Sequence, residues 1–302
     1  MAGLRVRAVD VALMALGVVG VSLSGPLIAA MVTVPAIAIA FWRMAIATLV
    51  TTPMGTTHRR AVREMTPSDL RLIVLSGLAL AAHFALWVSS LKLTSVASST
   101  ALVCLQAGWV VLFTWMGGQR PDRRTTVGLL ICLAGVLVVT GVDFSVSPED
   151  LLGDLLALLG GAGSAAYMIV GGSVRQRTNT TVYTLLCYGV CSVVLLAACL
   201  VFSVPLAGYA GDDWVQLAAL AVGSQLLGHS VFNHLLVRVS PTVVSMVILL
   251  EVPGAALLAG VFLDQTPPAG VYVGLVVLLC GLAVVTAVRR EVPAAAPRDR
   301  AG

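Results

Sequence analysis

Charge is scarce in this chain of 302 residues: 11% are Asp, Glu, Lys or Arg, against 59% hydrophobic. A soluble domain carries about 25% charged and about 45–50% apolar residues, so a soluble globular enzyme and a disordered protein are both excluded. Aromatic residues are few, at 6%, and the apolar content comes from Leu, Val and Ala, which suit lipid. Lysine is almost missing, with Lys92 alone among 18 Lys and Arg. The net charge is +4, but the basic residues are scattered between apolar runs and cannot assemble a phosphate-binding surface. Nucleic acid is therefore not a partner. No Walker-type loop is present, so the chain does not hydrolyse ATP itself. Period-two alternation is missing, which argues against an outer-membrane barrel.

All six cysteines, Cys104, Cys132, Cys187, Cys191, Cys199 and Cys280, lie inside apolar runs. They read as small packing residues, since a disulfide framework would place them in loops. Cys187 and Cys191 share a helical face, but no His or carboxylate neighbours them, which argues against a metal pair. No cofactor, metal site or catalytic residue is expected.

What the chain has is long apolar runs, at roughly 11–30, 34–53, 70–91, 96–117, 125–142, 151–172, 181–203, 214–236, 242–263 and 269–288. A membrane-spanning helix needs about 20 mostly apolar residues, so these predict ten spans. The first run is too long for the core of a signal peptide, and more spans follow it. Sixteen Arg residues, from Arg5 and Arg7 through Arg59, Arg60, Arg175 and Arg238 to the last residues, fall on one face of this layout. The opposite face receives Lys92 and a set of acids that includes Asp143, Glu149, Asp150, Asp212, Asp213 and Asp264. Cytoplasmic loops carry the excess of Arg and Lys, so both termini are expected to be cytoplasmic, on a multi-pass protein of the cytoplasmic membrane. Residues 290–302, rich in Ala, Pro and Arg, are expected to be a disordered cytoplasmic tail.

A shift of 146 residues aligns the third to fifth apolar runs with the eighth to tenth without a gap. His83 meets His229, Lys92 meets Arg238, and Gly108 meets Gly254. Gln119 and Pro121 meet Gln265 and Pro267. Gly128, Leu133, Gly135 and Thr140 meet Gly274, Leu279, Gly281 and Thr286. Five spans per half is an odd number, so the second copy must enter the membrane upside down. The expected fold is thus an all-α membrane protein of ten transmembrane helices, two inverted five-helix repeats over 9–142 and 150–289. Inverted repeats place a substrate site near the bilayer midplane and permit alternating access.

The string Ala82-His83-Phe84-Ala85-Leu86-Trp87, with Ser90-Leu91-Lys92, Ser95-Val96-Ala97-Ser98 and Leu105-Gln106, resembles the first half of the drug/metabolite transporter superfamily in its EamA branch. Gly228-His229, Phe232-Asn233, Ser240 and Leu250-Glu251-Val252-Pro253 resemble the second half. The resemblance spans about 9–289 and implies a ten-helix exporter or facilitator of small metabolites, from amino acids to drugs and sugars. The chain departs from the family at Ala107, where Pro is frequent, and at Gly118-Gln119 and Asp264-Gln265, where Gly-Glu is frequent.

Four ionisable residues fall near span centres: Arg43, His83, His229 and Glu251. A charge there costs at least about 2.5–3.5 kcal/mol, so these groups should face the bundle interior. His83 and Trp87 share a helical face; His229 and Asn233 are their equivalents, and Gln225 extends that stripe by one turn. Gln106, Trp109 and Tyr167 complete the candidate substrate-binding set. Glu251 suits cation recognition or proton carriage, so protons are a candidate partner. Arg43 suits a substrate carboxylate. Together they fit a zwitterion such as an amino acid; a neutral amphipathic metabolite is the alternative. An Arg43–Glu251 pair that only fixes helix register is also open. Two segments are discounted: the glycosylation sequon Asn179-Thr180-Thr181 falls on the Arg-rich face, and Gly161-Ala162-Gly163-Ser164-Ala165-Ala166 lacks the strand a dinucleotide loop needs and suits close helix packing. The leading expectation is a secondary transporter of a small-molecule substrate, embedded in the lipid bilayer as a monomer or homodimer. An intramembrane enzyme on lipid-like substrates and a non-transporting scaffold are the alternatives.

Overall fold

The computed structural model describes residues 7–94, 96–140, 147–262 and 269–286. The expected tail at 290–302, and Asp143, Asp264 and Gln265, lie outside them. The described residues form helices and no strand. In the first repeat these are α1 (Ala8–Ser22), α2 (Ser24–Ala30), α3 (Ala36–Thr56), the short α4 (Arg59–Arg63), α5 (Pro67–Ser90), α6 (Val96–Cys104), α7 (Gln106–Met116) and α8 (Arg123–Thr140). In the second they are α9 (Pro148–Arg175), α10 (Thr180–Val201), α11 (Gly211–Ala219), a π-helical segment (Leu220–His229), α12 (Ser230–Leu235), α13 (Pro241–Ile248), α14 (Glu251–Phe262) and α15 (Ala269–Thr286).

Sequence signals set the helix starts. Thr66 caps α5: its hydroxyl accepts from the Asp69 N–H at 3.2 Å, while Asp69 reaches back to the Thr66 N–H at 3.3 Å. Ser147 and Ser240 cap α9 and α13, each followed by Pro at the first helical position, where a missing N–H costs nothing. Asn179, the first residue of the discounted sequon, caps α10 through the Thr181 N–H at 2.8 Å.

Eight helical stretches among the described residues are long and apolar enough to cross a membrane. The expected fifth and tenth spans correspond to α8 and α15, whose described stretches end next to residues outside the described set. The outer surface is apolar, with Val193, Leu200, Val215 and Val276 among many large side chains left open. A patch of that extent suits lipid and not water.

The repeats interlock. α1 packs on the π-helical segment and α9 on α5; α3 packs on α10 and α8 on α15. Each of these contacts joins one repeat to the other. The last shows the inversion directly. A β-carbon on Gly128 would meet Val285 and the Gly281 carbonyl, while one on Gly135 would meet Leu278 and the Gly274 carbonyl. Rising along α8 therefore means descending α15, so equivalent helices run antiparallel. The Cys132 thiol lies 3.6 Å from the carbonyl of Leu278, its own equivalent 146 residues on. The glycine matches found by the 146-residue shift are thus the close-approach points of the inter-repeat contact, where only a missing side chain lets the backbones meet.

Charged contacts sort the two ends of the bundle. At one end Arg238 donates to Asp10 at 2.9 Å, and Arg177 lies 3.7 Å from Asp69. At the other, Lys92 donates to the Met31 carbonyl at 2.6 Å and Thr33 donates to Asp213 at 3.2 Å. Partial desolvation lowers the Lys92 pKa, with Asp213 opposing it.

Candidate functional site

The fourth hydrophobic run of each repeat is not one helix but two. α6 ends at Cys104 and α7 begins at Gln106; α13 ends at Ile248 and α14 begins at Glu251. Near Pro253 the cause is local: proline cannot donate to the Leu249 carbonyl, and the Val252 N–H takes that carbonyl instead at 3.3 Å. The first repeat breaks at the equivalent position although Ala107 stands where the second has Pro, with the Leu105 N–H on the Leu102 carbonyl at 3.1 Å and the Gly108 N–H on Leu105 at 2.8 Å. Gln106 and Glu251 are consequently the first residues of half-helices inside the bundle. An acid at a helix N-terminus is favoured by the unpaired N–H groups there, and half-helix ends at the midplane are a recurring way to build a transporter site.

These two ends face a small cavity. Five of the ten residues expected from sequence line it: His83, Trp87, Gln106, His229 and Glu251. Val21, Val103, Cys104, Ser164 and Ile248 complete the wall. The two histidine rings lie 6.2 Å apart, bringing the repeat equivalents together. Trp87 stacks on His83 with centroids 5.8 Å apart and planes 11° from parallel. The His83 Nδ1 lies 2.9 Å from the Gly160 carbonyl; a carbonyl only accepts, so Nδ1 carries the proton and the neutral ring keeps Nε2 as an acceptor. Gly160 and Gly163 make this possible, because α9 approaches the backbone of Trp87 and His83 so closely that a β-carbon on either would sit 3.2 or 3.0 Å from it. Ser164 donates to the Gln106 carbonyl oxygen, which fixes the amide with its NH2 group free to donate. Glu251 makes no hydrogen bond or ion pair among the described residues, and its side chain is 7% exposed.

Arg43 is not on the cavity wall, and the Arg43–Glu251 ion pair left open above is not formed. Arg43 is fully buried, with Nε donating to Gln225 Oε1 at 2.8 Å, Nη1 3.4 Å from the Ser24 hydroxyl, and Cζ 4.2 Å over the Phe84 ring. Phe84 in turn packs edge-on to His229 at 5.5 Å. The guanidinium thus ties α3 to the π-helical segment, with an aromatic ring between it and the cavity residue His229. The Arg43 Nη2 is buried without a hydrogen-bond partner among the described residues.

The expected stripe Gln225–His229–Asn233 also divides. Residues 220–229 are π-helical, and i→i+5 turns advance less per residue than α turns, so the three side chains leave one face. Gln225 turns to Arg43 and His229 to the cavity. Asn233 is buried, with Tyr167 donating to its Oδ1 at 2.7 Å and its Nδ2 3.4 Å from the Tyr188 hydroxyl. Tyr167 and Asn233 thus belong to a polar cluster beside the cavity, although Tyr167 stands only 6.4 Å from His229. Trp109 belongs to neither: it is half-buried and packs on Phe113 at 5.6 Å. Sequence reasoning missed Ser164, Tyr188 and the spacer Phe84. Ser164 lay within a glycine run read as packing, and Phe84 within a string already singled out. Tyr188 carried one weak signal, a phenol inside an apolar run.

Two interlocked, inverted repeats enclose a cavity to which both contribute wall residues. The chain matches the EamA-like transporter family twice, over residues 10–141 and 151–287, and it belongs to that family. No curated protein matches it. Among solved structures it is similar to a protein known from its crystal structure, at 20% identity and a TM-score of 0.76, over 94% of this chain and 99% of the other. That likeness concerns the fold.

Proposed function

We propose that this protein is a secondary transporter, exporting or equilibrating small amphipathic metabolites across the cytoplasmic membrane by alternating access around the midplane cavity. One observation carries the reading: the broken fourth helices of two inverted repeats present Gln106 and Glu251 to the same cavity, beside paired histidines. A carboxylate left without a partner in the bilayer is expensive unless it serves a substrate or a proton. Protons are accordingly the coupling partner to test first. The transporter works as a monomer or homodimer. The end holding Arg177 and Arg238 is the cytoplasmic one, with both termini on that side, by the excess of Arg there. No catalytic residue is assigned.

The test is counterflow in vesicles reconstituted with the purified protein, using a panel of amines, amino acids, organic acids and neutral alcohols. Saturable counterflow of one class, absent from vesicles without protein, is expected. Flux of none of them under any imposed gradient would refute the transporter reading.

A further inference from the structure

Resting on the transporter reading, we infer that the Asp10–Arg238 ion pair latches the cytoplasmic gate of the cavity, and that the outer gate closes without such a latch. The pair joins the two repeats: Asp10 lies in the first turn of α1, and Arg238 in the turn between α12 and α13. The elements it ties together lead to the cavity wall. α1 carries Val21, the π-helical segment before α12 carries His229, and α13 carries Ile248. At about 1.5 Å per residue along α1, the pair sits about 16 Å from the level of Val21. The Asp10 residue is only 2% exposed and both carboxylate oxygens are engaged. Oδ1 accepts from Arg238 Nη1 at 2.9 Å; Oδ2 accepts from the Arg7 backbone N–H at 3.2 Å and from its Nε at 3.4 Å. Arg7 belongs to the same end of α1, so Arg238 alone bonds this carboxylate to the other repeat among the described residues. Between the pair and the cavity, α1 meets the second repeat through Gly17 under the Phe232 ring and Gly20 against the backbone of Gly223 and Gly228. No side chain of α1 interlocks at those two positions, so α1 can swing about Gly20 once its end is freed.

The inverted repeat supplies the comparison. Helices α1 and α9 match at a shift of 143 residues, Gly17 with Gly160 and Gly20 with Gly163. Gly160 and Gly163 pack on α5 between Ala79 and Trp87, as Gly17 and Gly20 pack on the equivalent stretch of the second repeat. On that register Asp10 falls on Gly153, while Arg238 falls on Lys92. A β-carbon on Gly153 would lie 2.9 Å from Thr94 and 3.0 Å from Leu93, so α9 seats on the turn after α5 much as α1 is tied to the turn after α12. The carboxylate is what differs. Lys92 donates instead to the Met31 carbonyl of its own repeat and forms no ion pair among the described residues. Packing alone holds this outer seat, whereas an ion pair holds its cytoplasmic counterpart.

Cys104 lines the cavity and can report opening without a substrate. With Cys104 as the only cysteine, its rate of reaction with trimethylammonioethyl methanethiosulfonate is measured in inside-out and right-side-out membrane vesicles. The Arg238 side chain is 39% exposed, so Arg238→Gln should leave the fold intact. It should raise the rate from the cytoplasmic side roughly three- to ten-fold, the scale of losing a partly exposed charged bond, and should not raise the rate from outside. Asp10→Asn should do the same, and the double variant no more than either single. Arg238→Lys keeps the charge and should stay near the wild type, and Lys92→Gln should leave the cytoplasmic rate unchanged. Should Asp10→Asn fail to insert, the contrast between Arg238→Gln and Arg238→Lys carries the test. An unchanged cytoplasmic rate in Arg238→Gln, a rise from outside alone, an equal rise from both sides, or additive effects of the two single variants would each overturn the latch. Labelling needs no substrate, so its failure strikes the latch alone; failure of counterflow in the wild type strikes the transporter reading and leaves the labelling result standing.

Discussion

Replacing Gly281 with Ala should destabilise the protein relative to the same replacement at Gly189. The methyl group added at Gly281 would lie 2.6 Å from the Cys132 sulfur, 2.7 Å from the Gly128 carbonyl oxygen and 2.9 Å from the Cys132 nitrogen. Favourable contacts between heavy atoms lie near 3.5–4.0 Å. Two of the three obstructing atoms are backbone, so relief requires α8 and α15 to move apart by several tenths of an ångström. Overpacking of this kind costs about 1–3 kcal/mol. At Gly189 the added methyl would find only the Thr48 methyl, at 4.0 Å. Both glycines sit inside helices, so both variants gain the same helix-propensity term of about 1 kcal/mol, which cancels in the comparison. The difference between the two variants is then about 1–3 kcal/mol. On the scale of roughly 2–4 °C per kcal/mol for chains of 150–250 residues, they should melt several degrees apart in detergent, with Gly189→Ala at or above the wild type. Adding Cys132→Ala to Gly281→Ala removes the sulfur contact alone and should rescue only in part. Equal melting of the two single variants would refute the antiparallel α8–α15 contact as drawn, and full rescue would assign the clash to the thiol.

Three further expectations concern the site and the topology. Arg43→Lys keeps the charge but loses the Nε bond to Gln225 and the planar stack on Phe84, a loss of about 2–4 kcal/mol from a charged hydrogen bond and a cation–π contact; a variant that melts with the wild type yet fails to carry substrate would place Arg43 in recognition instead. His83→Ala and His229→Ala should each lower transport while the protein still inserts and folds, as judged by size-exclusion profile; full activity in the double variant would make the pair packing residues. On a Cys-free background, Arg60→Cys should resist a membrane-impermeant thiol reagent in intact cells and Asp212→Cys should react, and the opposite pattern would invert the topology.

Much of the fold could be read from the sequence because lipid imposes simple rules. A backbone in hydrocarbon must satisfy its own hydrogen bonds, so long apolar runs had to be helices. The Arg distribution and the 146-residue register then implied inversion, and Gly128, Gly135, Gly274 and Gly281 stood out as matched pairs before their contact was visible. His83, Trp87, Gln106, His229 and Glu251 could be named for the cavity because a polar group at that depth needs a reason to be there. The register could not say that Gly128 meets Gly281 and Gly135 meets Gly274, nor that the repeats interlock instead of sitting side by side.

What the sequence by itself determined is the all-helical, lipid-embedded character, the duplication and the depth of each polar residue, since these follow from hydropathy and spacing along one chain. Only the tertiary structure decided which polar residues share a space. Arg43 and Glu251 have similar depth, yet Phe84 and Gln225 hold the guanidinium away from the cavity wall. Gln225, His229 and Asn233 have helical spacing, yet a π-helical stretch sends them to three different neighbours. Depth is set by each helix alone, whereas azimuth and pairing depend on how helices twist, break and pack against one another.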